Sequence, residues 1–381
     1  MAEAVIVEAV RSPVGKRNGG LSRVHPADLS AQVLNALVER AGVDPALVDD
    51  VIWGCVQQVG DQALDIARTA VLAAGWPESV TGVSVDRQCG SSQQSVHFAA
   101  AGVAAGHYDV AVAGGVESMS RVPMGSSTAA GGDPFPQKFM DRYGVVPNQG
   151  IGAEMIAEQW GFDRTVLDEF ALASHEKAAT AQDSGAFDDQ IVAITDQDGN
   201  PVLKDEGIRR GTPIEKMAQL KPAFKEDGVI HAGNSSQISD GSAALLFMSA
   251  EKAKELGCRP IAKVHTAVLA GADPVIMLTA PIPATQKALR KSGLTVDDIG
   301  VFEVNEAFAP VPLAWLKDIG AGEKNLNPNG GAIALGHPLG GSGARIMTTM
   351  LYHMRDKGIR YGLQTMCEGG GQANATILEL L

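Results

Sequence analysis

Residues 36–53, ALVERAGVDPALVDDVIW, have a counterpart at 288–302, ALRKSGLTVDDIGVF. Each reads as the end of an amphipathic helix, a glycine placed to cap it, a polar turn containing Val-Asp-Asp, and an apolar strand. The offset is about 250 residues, and a long fixed offset marks an internally repeated unit. A second pair keeps a similar offset: VAVAGGVES at 110–118 and LQTMCEGGG at 363–371, both apolar strands running into glycines. Helical stretches at 91–105 and 342–357 precede apolar strands at 109–113 and 362–366. This alternation predicts an α/β fold of layered sheets covered by helices. Two related halves of roughly 120 residues would set their helices against each other in the middle. Chance similarity of two ordinary αβ units is the competing account, since the matching stretches are short.

The stretch from about 118 to 237 breaks the pattern. It holds STAAGGDPFPQKF, then an amphipathic helical run at 152–182, then charged, irregular sequence to about 230. It reads as an insertion covering one end of the core, where binding loops usually lie.

At 381 residues, with 45% hydrophobic and 20% charged residues, the chain has the composition of a soluble globular protein. Its 44 glycines fall in short runs, which suggests tight turns and not disorder. A formal charge of −13 argues against a nucleic-acid partner, which needs a clustered Lys/Arg face. An anionic small molecule would need a local basic patch, and EGIRRGTP at 206–213 is the most basic one in the insertion. The opening MAEAVIVEAVRSPVG reads as a strand with no leader pattern, and no apolar run is long enough to span a bilayer. The expectation is a cytoplasmic protein without membrane insertion. Cys55, Cys89, Cys258 and Cys367 show no zinc-ligand spacing and no export context for disulfides, so no metal is expected.

Four polar or sulfur groups stand at strand ends beside glycine-rich turns, where open α/β folds place their sites. Cys89, in SVDRQCGSSQQS at 84–95, falls at the start of a helix. The positive helix end favours thiolate over thiol and would make the sulfur a nucleophile near neutral pH. A small buried hydrophobe is an equal reading of that residue alone. Gly90 would let a substrate approach the backbone, and Ser91 and Ser92 suit a first turn. His337, in GHPLGGSGAR at 336–345, suits a general base or an oxyanion donor; a loop-anchoring hydrogen bond is the alternative. His97 and His175 fit helical patterns and read as structural. Cys367 ends a strand and enters three glycines whose N–H groups would be free for an oxyanion. Asn305, in NEAFAP at 305–310, suits holding a water or capping a helix.

Together these motifs resemble the thiolase family, the acetyl-CoA acyltransferases and 3-ketoacyl-CoA thiolases. DRQCGSS, NEAFA, GHPLGGSGAR and CEGGGQAN match its four site motifs in order; GGVESMSRVPMG at 114–125 and KPAFKEDGVIHAGNSSQISDGSAA at 221–244 match further blocks. The resemblance covers essentially the whole chain. It implies a five-layered α-β-α-β-α fold of two similar halves, 1–253 and 260–381, with a loop domain inserted at about 118–237. It implies thiolytic cleavage of a 3-ketoacyl-CoA to acetyl-CoA and a shortened acyl-CoA, or the reverse condensation, as in fatty-acid β-oxidation. Cys89 would be the acylated nucleophile and His337 its activator. His337 would share one oxyanion hole with a water held by Asn305. Cys367 would be the acid/base, and the N–H groups of Cys89 and Gly369 a second oxyanion hole. Glu306 would support Asn305. Arg209 would meet the adenine end of CoA, Phe224, Ala232 and Ser236 its pantetheine, and Ala307 and Phe308 the acyl end. CoA is then a substrate, with no bound cofactor, and the protein a homodimer or a tetramer built as a dimer of dimers.

One departure stands out. Many family members have His-Met-Gly beside the acyl group, where this chain has Asn148, Gln149 and Gly150, which alters the size or polarity of that pocket. CEGGG, with Glu368, is more like degradative than biosynthetic members. A ketoacyl synthase shares the two-half fold and a nucleophilic cysteine but places His/His or His/Asn beside it; Cys367 discriminates. A thiolase-like lipid-binding protein would not need Cys89, His337, Asn305 and Cys367 intact.

Overall fold

The computed structural model describes residues 2–129 and 131–381. Its first part contributes β1 (Ala4–Arg11), α1 (Pro26–Ala41), β2 (Asp50–Gly54), α2 (Ile66–Ala73), β3 (Thr81–Val85), α3 (Ser91–Ala105), β4 (Val110–Ser118), α4 (Gln149–Trp160), α5 (Arg164–Asp183) and β5 (Ser239–Ser249). The second contributes β6 (Ala262–Gly271), α6 (Pro281–Ser292), β7 (Val301–Val304), α7 (Pro310–Ile319), α8 (Ser342–Lys357), β8 (Tyr361–Glu368) and β9 (Gln372–Leu380).

The repeated stretch folds the same way twice. Helix α1 stops at Gly42, whose left-handed φ of 66° returns its N–H to the carbonyls of Val38 and Glu39. Helix α6 stops at Gly293, with φ 75° and its N–H on the Leu289 carbonyl. A short 3-10 turn follows each, Pro45–Leu47 and Val296–Asp298, and then β2 or β7 begins. Each of these strands pairs in parallel with the second echo, β2 with β4 and β7 with β8.

The strands run in the order β7-β8-β9-β6-β1-β5-β4-β2-β3. A seam of two antiparallel register pairs, Val5↔Lys263 and Ile6↔Ala262, joins the halves at β1 and β6. Strand alternation sorts side chains to opposite faces. Val51 and Trp53 meet the outer helix α1 through Leu34 and Leu37, whereas Ile52 points inward to Val96 of α3 and Met347 of α8. On the other half Phe302, Leu363 and Ile377 pack outward against Ile282 and Ala288 of α6 and Trp315 of α7. The layers are therefore α1/α2, sheet, α3/α8, sheet, α6/α7. Because α3 is enclosed by both sheets, its core positions use small residues such as Ala99 and Ala100.

The insertion lies between β4 and β5. The expected single helical run at 152–182 is two helices, because Gly161 (φ 72°) ends α4 and Asp163 caps α5 through its bond from Val166 N–H. Both pack on the second half: Ile156 and Leu167 share a core with Ile276, Leu278, Phe308 and Val311. The insertion thereby roofs the sheet edge where the strands β3, β7 and β8 end. Among the described residues no helix is long and apolar enough to cross a membrane.

Candidate active site

Cys89 sits in the turn between edge strand β3 and α3. The preceding Gln88 has φ 49°, a left-handed conformation costing a non-glycine residue roughly 1–2 kcal/mol. Hydrogen bonds hold it there. Gln88 N–H donates to Asp86 Oδ1 at 2.7 Å, and Ser91 Oγ donates to the Gln88 carbonyl at 2.6 Å while accepting from Arg87 N–H at 2.9 Å. Gly90 answers to a different neighbour than expected. A Cβ there would run into the Glu368 carboxylate and the Asn374 amide, so the β8–β9 hairpin, and not substrate, excludes a side chain. Asn374 Nδ2 donates to the Gly90 carbonyl at 3.0 Å.

His337 is held by its backbone N–H on the Gln237 carbonyl and on Ser239 Oγ, both at 3.2 Å. Its Nδ1 lies 2.6 Å from Ser342 Oγ, which itself lies 2.8 Å from the Pro338 carbonyl. A carbonyl only accepts, so the serine proton points to Pro338 and the serine oxygen accepts from Nδ1–H. That fixes the tautomer with the proton on Nδ1 and leaves the lone pair on Nε2, which meets only one long contact among the described residues. Asn305 Nδ2 approaches Nε2 at 3.4 Å. Asn305 Oδ1 is buried and has no partner among the described residues, so it can accept from a water.

Two buried carboxylates pin these turns. Glu117 accepts from the N–H groups of Val56, Gln57 and Gly340 and from Gln62 Nε2, at 2.7–3.0 Å, tying the His337 loop to the end of β4. Glu306 accepts from Ser174 Oγ (2.6 Å), Asn327 Nδ2 (3.0 Å) and Ile333 N–H (3.2 Å), tying the Asn305 turn to α5. Burial pushes the Glu117 carboxyl upward, but four donors occupy its lone pairs and leave no position for a proton, so it is an ionised staple.

Cys89, His337 and Cys367 line one cavity of about 180 Å³. Gly369, half-buried, packs on the Gln88 side chain, and among the described residues neither its N–H nor that of Cys89 donates to another residue of the protein. The electrostatics differ from the thiolate expectation. Burial, then Cys367 and then Glu368, pushes the Cys89 thiol well above its ordinary range, and its own N–H pulls it back only in part. Burial holds Cys367 up at about 12. Burial, and then Arg345, pushes His337 down to about 3. At neutral pH the cavity thus holds two thiols and a neutral imidazole, because removal from water outweighs the helix start. A base with its lone pair free and two thiols at one small cavity suit acyl transfer by covalent catalysis.

The chain's relatives agree with that chemistry. Residues 4–251 match the family model for the thiolase N-terminal domain, and 258–380 that for the thiolase C-terminal domain. The chain belongs to the thiolase family. It is 50% identical to the steroid 3-ketoacyl-CoA thiolase FadA6 of Mycobacterium tuberculosis, over 100% of this chain and 95% of that one. It is 45% identical to the 3-ketoacyl-CoA thiolase of Erwinia tasmaniensis over 100% of both. The crystal structure of the Bacillus anthracis acetyl-CoA acetyltransferase superposes with a TM-score of 0.92 at 41% identity, covering 100% of this chain and 99% of that one.

In this thiolase Phe224, Ser236, Ala307 and Phe308 line the same cavity, the two rings meeting edge-on at 5.9 Å. Arg209 lines a neighbouring cleft of about 90 Å³ with His175, Thr212, Lys216 and Gly233. Ala232 is exposed, on the segment running from one cleft to the other. His175 anchors the neighbouring loop, its Nδ1 accepting from Arg209 N–H at 3.1 Å. A larger open cleft of about 760 Å³, between α5 and the end of α8, contains none of the expected site residues. Ser342 and Glu117 were not singled out from sequence. A serine five residues after the histidine, and the glutamate inside GGVES, were the available signals.

Proposed function

We propose that this thiolase cleaves a 3-ketoacyl-CoA by ping-pong chemistry through an acyl-Cys89 intermediate, or runs the reverse condensation. What supports this most is the convergence of Cys89, His337 and Cys367 on one cavity, with His337 Nε2 free to accept a proton. His337 takes the Cys89 proton as Sγ bonds to the keto carbon. The C2–C3 bond then breaks, leaving acyl-Cys89, and the acetyl-CoA enolate takes its proton from Cys367. In the second half Cys367 removes the proton of an incoming CoA thiol, whose sulfur attacks the acyl-Cys89 carbonyl. Cys89 leaves as thiolate and recovers its proton from His337. Negative charge develops on the keto oxygen and on the thioester oxygen in turn, so two oxyanion sites are needed. The His337–Asn305 pair with a water would serve one, and the Cys89 and Gly369 N–H groups the other. His337 must be neutral to start, and its burial supports that.

CoA enters as substrate, and the chemistry requires no prosthetic group. Arg209, with Lys216 near it, suits the anionic adenine end, and Phe224, Ala232, Ser236, Ala307 and Phe308 mark a path inward. We also read the protein as a cytoplasmic homodimer pairing into a tetramer. The open edge of β3, with Val83 exposed, supports the dimer, and light scattering in solution tests it. For the reaction, intact mass after incubation with 3-ketoacyl-CoAs of several lengths should show an adduct that Cys89→Ala abolishes. Cys367→Ala should acylate but stall in making or breaking the C–C bond. Normal turnover by Cys367→Ala would remove the acid/base assignment.

A further inference from the structure

The start of α4, the loop that the family resemblance sets beside the acyl group, contributes to the cavity one polar side chain that the proposed reaction does not use. Asn148 caps α4, its Oδ1 accepting from Gly150 and Ile151 N–H at 2.9 and 3.1 Å. Gly150 has no room for a side chain, because a Cβ would enter the Phe224 ring. Between them Gln149 is half-buried and lines the cavity. The neighbouring walls are apolar: Met119 and Met124 from the segment after β4, Leu278 from the segment before α6, and Leu339 from the histidine loop. Gln237 Nε2 donates to the carbonyls of Gly207, Ile333 and Ala334, and Ser235 Oγ donates to the His231 carbonyl. Ser236, whose N–H donates to the Ala307 carbonyl at 2.9 Å, lies on the segment assigned to pantetheine. The Gln149 carboxamide has no partner among the described residues.

We propose that Gln149 is a specificity-determining residue, and that the preferred substrate is a 3-ketoacyl-CoA whose acyl tail carries an uncharged hydrogen-bonding oxygen, a hydroxyl or a ketone. This rests on the thiolysis reading above. Two methionines adapt to many tail shapes, so shape alone selects little. A carboxamide selects more, because a tail that fills the cavity displaces its water: an all-carbon tail then leaves it unpaired while an oxygenated tail satisfies it. A tail carboxylate is disfavoured, since among the described residues no Lys or Arg lines the cavity.

The test compares kcat/KM across 3-ketoacyl-CoAs of equal length, unsubstituted or bearing one hydroxyl or ketone at successive tail positions. The protein as isolated should favour at least one oxygenated tail by about 10-fold or more, as one amide desolvated by the tail and satisfied by it allows. Gln149→Met should bring that ratio to near unity. Gln149→Glu should keep the preference for a hydroxyl, which donates to it, and lose that for a ketone, which needs a donor. Because the readout is a ratio within one variant, partial loss of folded protein cancels. No preference at any position, or a ratio unchanged in Gln149→Met, overturns the proposal while acylation of Cys89 by acetoacetyl-CoA stands. Absence of that adduct in the unmodified protein overturns the thiolysis reading and this proposal with it.

Discussion

Replacing Ser342 by alanine tests whether the base at this site is set by a tautomer. The serine oxygen, wholly buried, receives His337 Nδ1–H at 2.6 Å and passes its own proton to Pro338 at 2.8 Å. Alanine removes the acceptor and leaves either a buried, unpaired Nδ1–H or a ring that moves its proton to Nε2. The first costs about 1–3 kcal/mol, and the second deprives Cys89 of its base by a similar preference. At 1.36 kcal/mol per tenfold, Cys89 acylation should slow roughly 5- to 150-fold. Rapid quenching against acetoacetyl-CoA with intact-mass detection reads that step directly, apart from C–C chemistry at Cys367. Ser342→Thr keeps a hydroxyl and should recover most of the rate. Acylation by Ser342→Ala within twofold of the unmodified protein, with His337→Ala blocking it, would refute the argument.

Three further outcomes follow from neighbouring geometry. His97, 2.7 Å from Thr376 Oγ1, is pushed down to about 3, by burial first and then by Arg87 and Lys291. The unfolded chain takes up a proton there below about pH 6.5 and the folded one does not, so acid destabilises the fold across that window. His97→Gln should therefore lose about 2 kcal/mol less stability between pH 7 and pH 5, read from urea midpoints. Gly90→Ala should cost about 1–3 kcal/mol by crowding Glu368 and Asn374, and Glu368→Ala in that background should return part of it. Arg209→Ala should raise KM for CoA substrates about two- to fivefold with kcat unchanged, an effect that shrinks in high salt.

Much of this was legible because repetition and helix boundaries are local. Gly42 and Gly293 mark equivalent caps, and α3 and α8 occupy the 91–105 and 342–357 windows that the pattern predicts. The insertion was legible as an insertion but not in its parts, since a single left-handed Gly161 divides what reads as one helical run. Contacts across the fold were beyond reach. Gly90 looks like room for substrate until the β8–β9 hairpin is seen behind it. The Cys89 protonation state depends on burial by both halves and on Cys367 and Glu368, both far along the chain.

Glu117, Glu306 and Glu368, buried next to the site motifs, show how the protein separates rigidity from reactivity. Glu117 accepts from four donors and Glu306 from three; these bonds oppose the upward push of burial on each carboxyl and hold the His337 and Asn305 turns. Glu368 also is buried, yet neither of its oxygens has a partner among the described residues, and burial raises it to about 8 despite Arg87. Stripped of donors, it rests protonated at neutral pH, beside Cys89. An ionised Glu368 would oppose every anion formed in the cavity, whether the Cys89 thiolate, the enolate or the Cys367 thiolate. Kept neutral, it lets charge appear only where the N–H groups and His337 face it. Donor-rich carboxyls therefore hold the turns, and the donor-poor one stands where a transient anion must form, an arrangement suited to preorganised stabilisation of that anion.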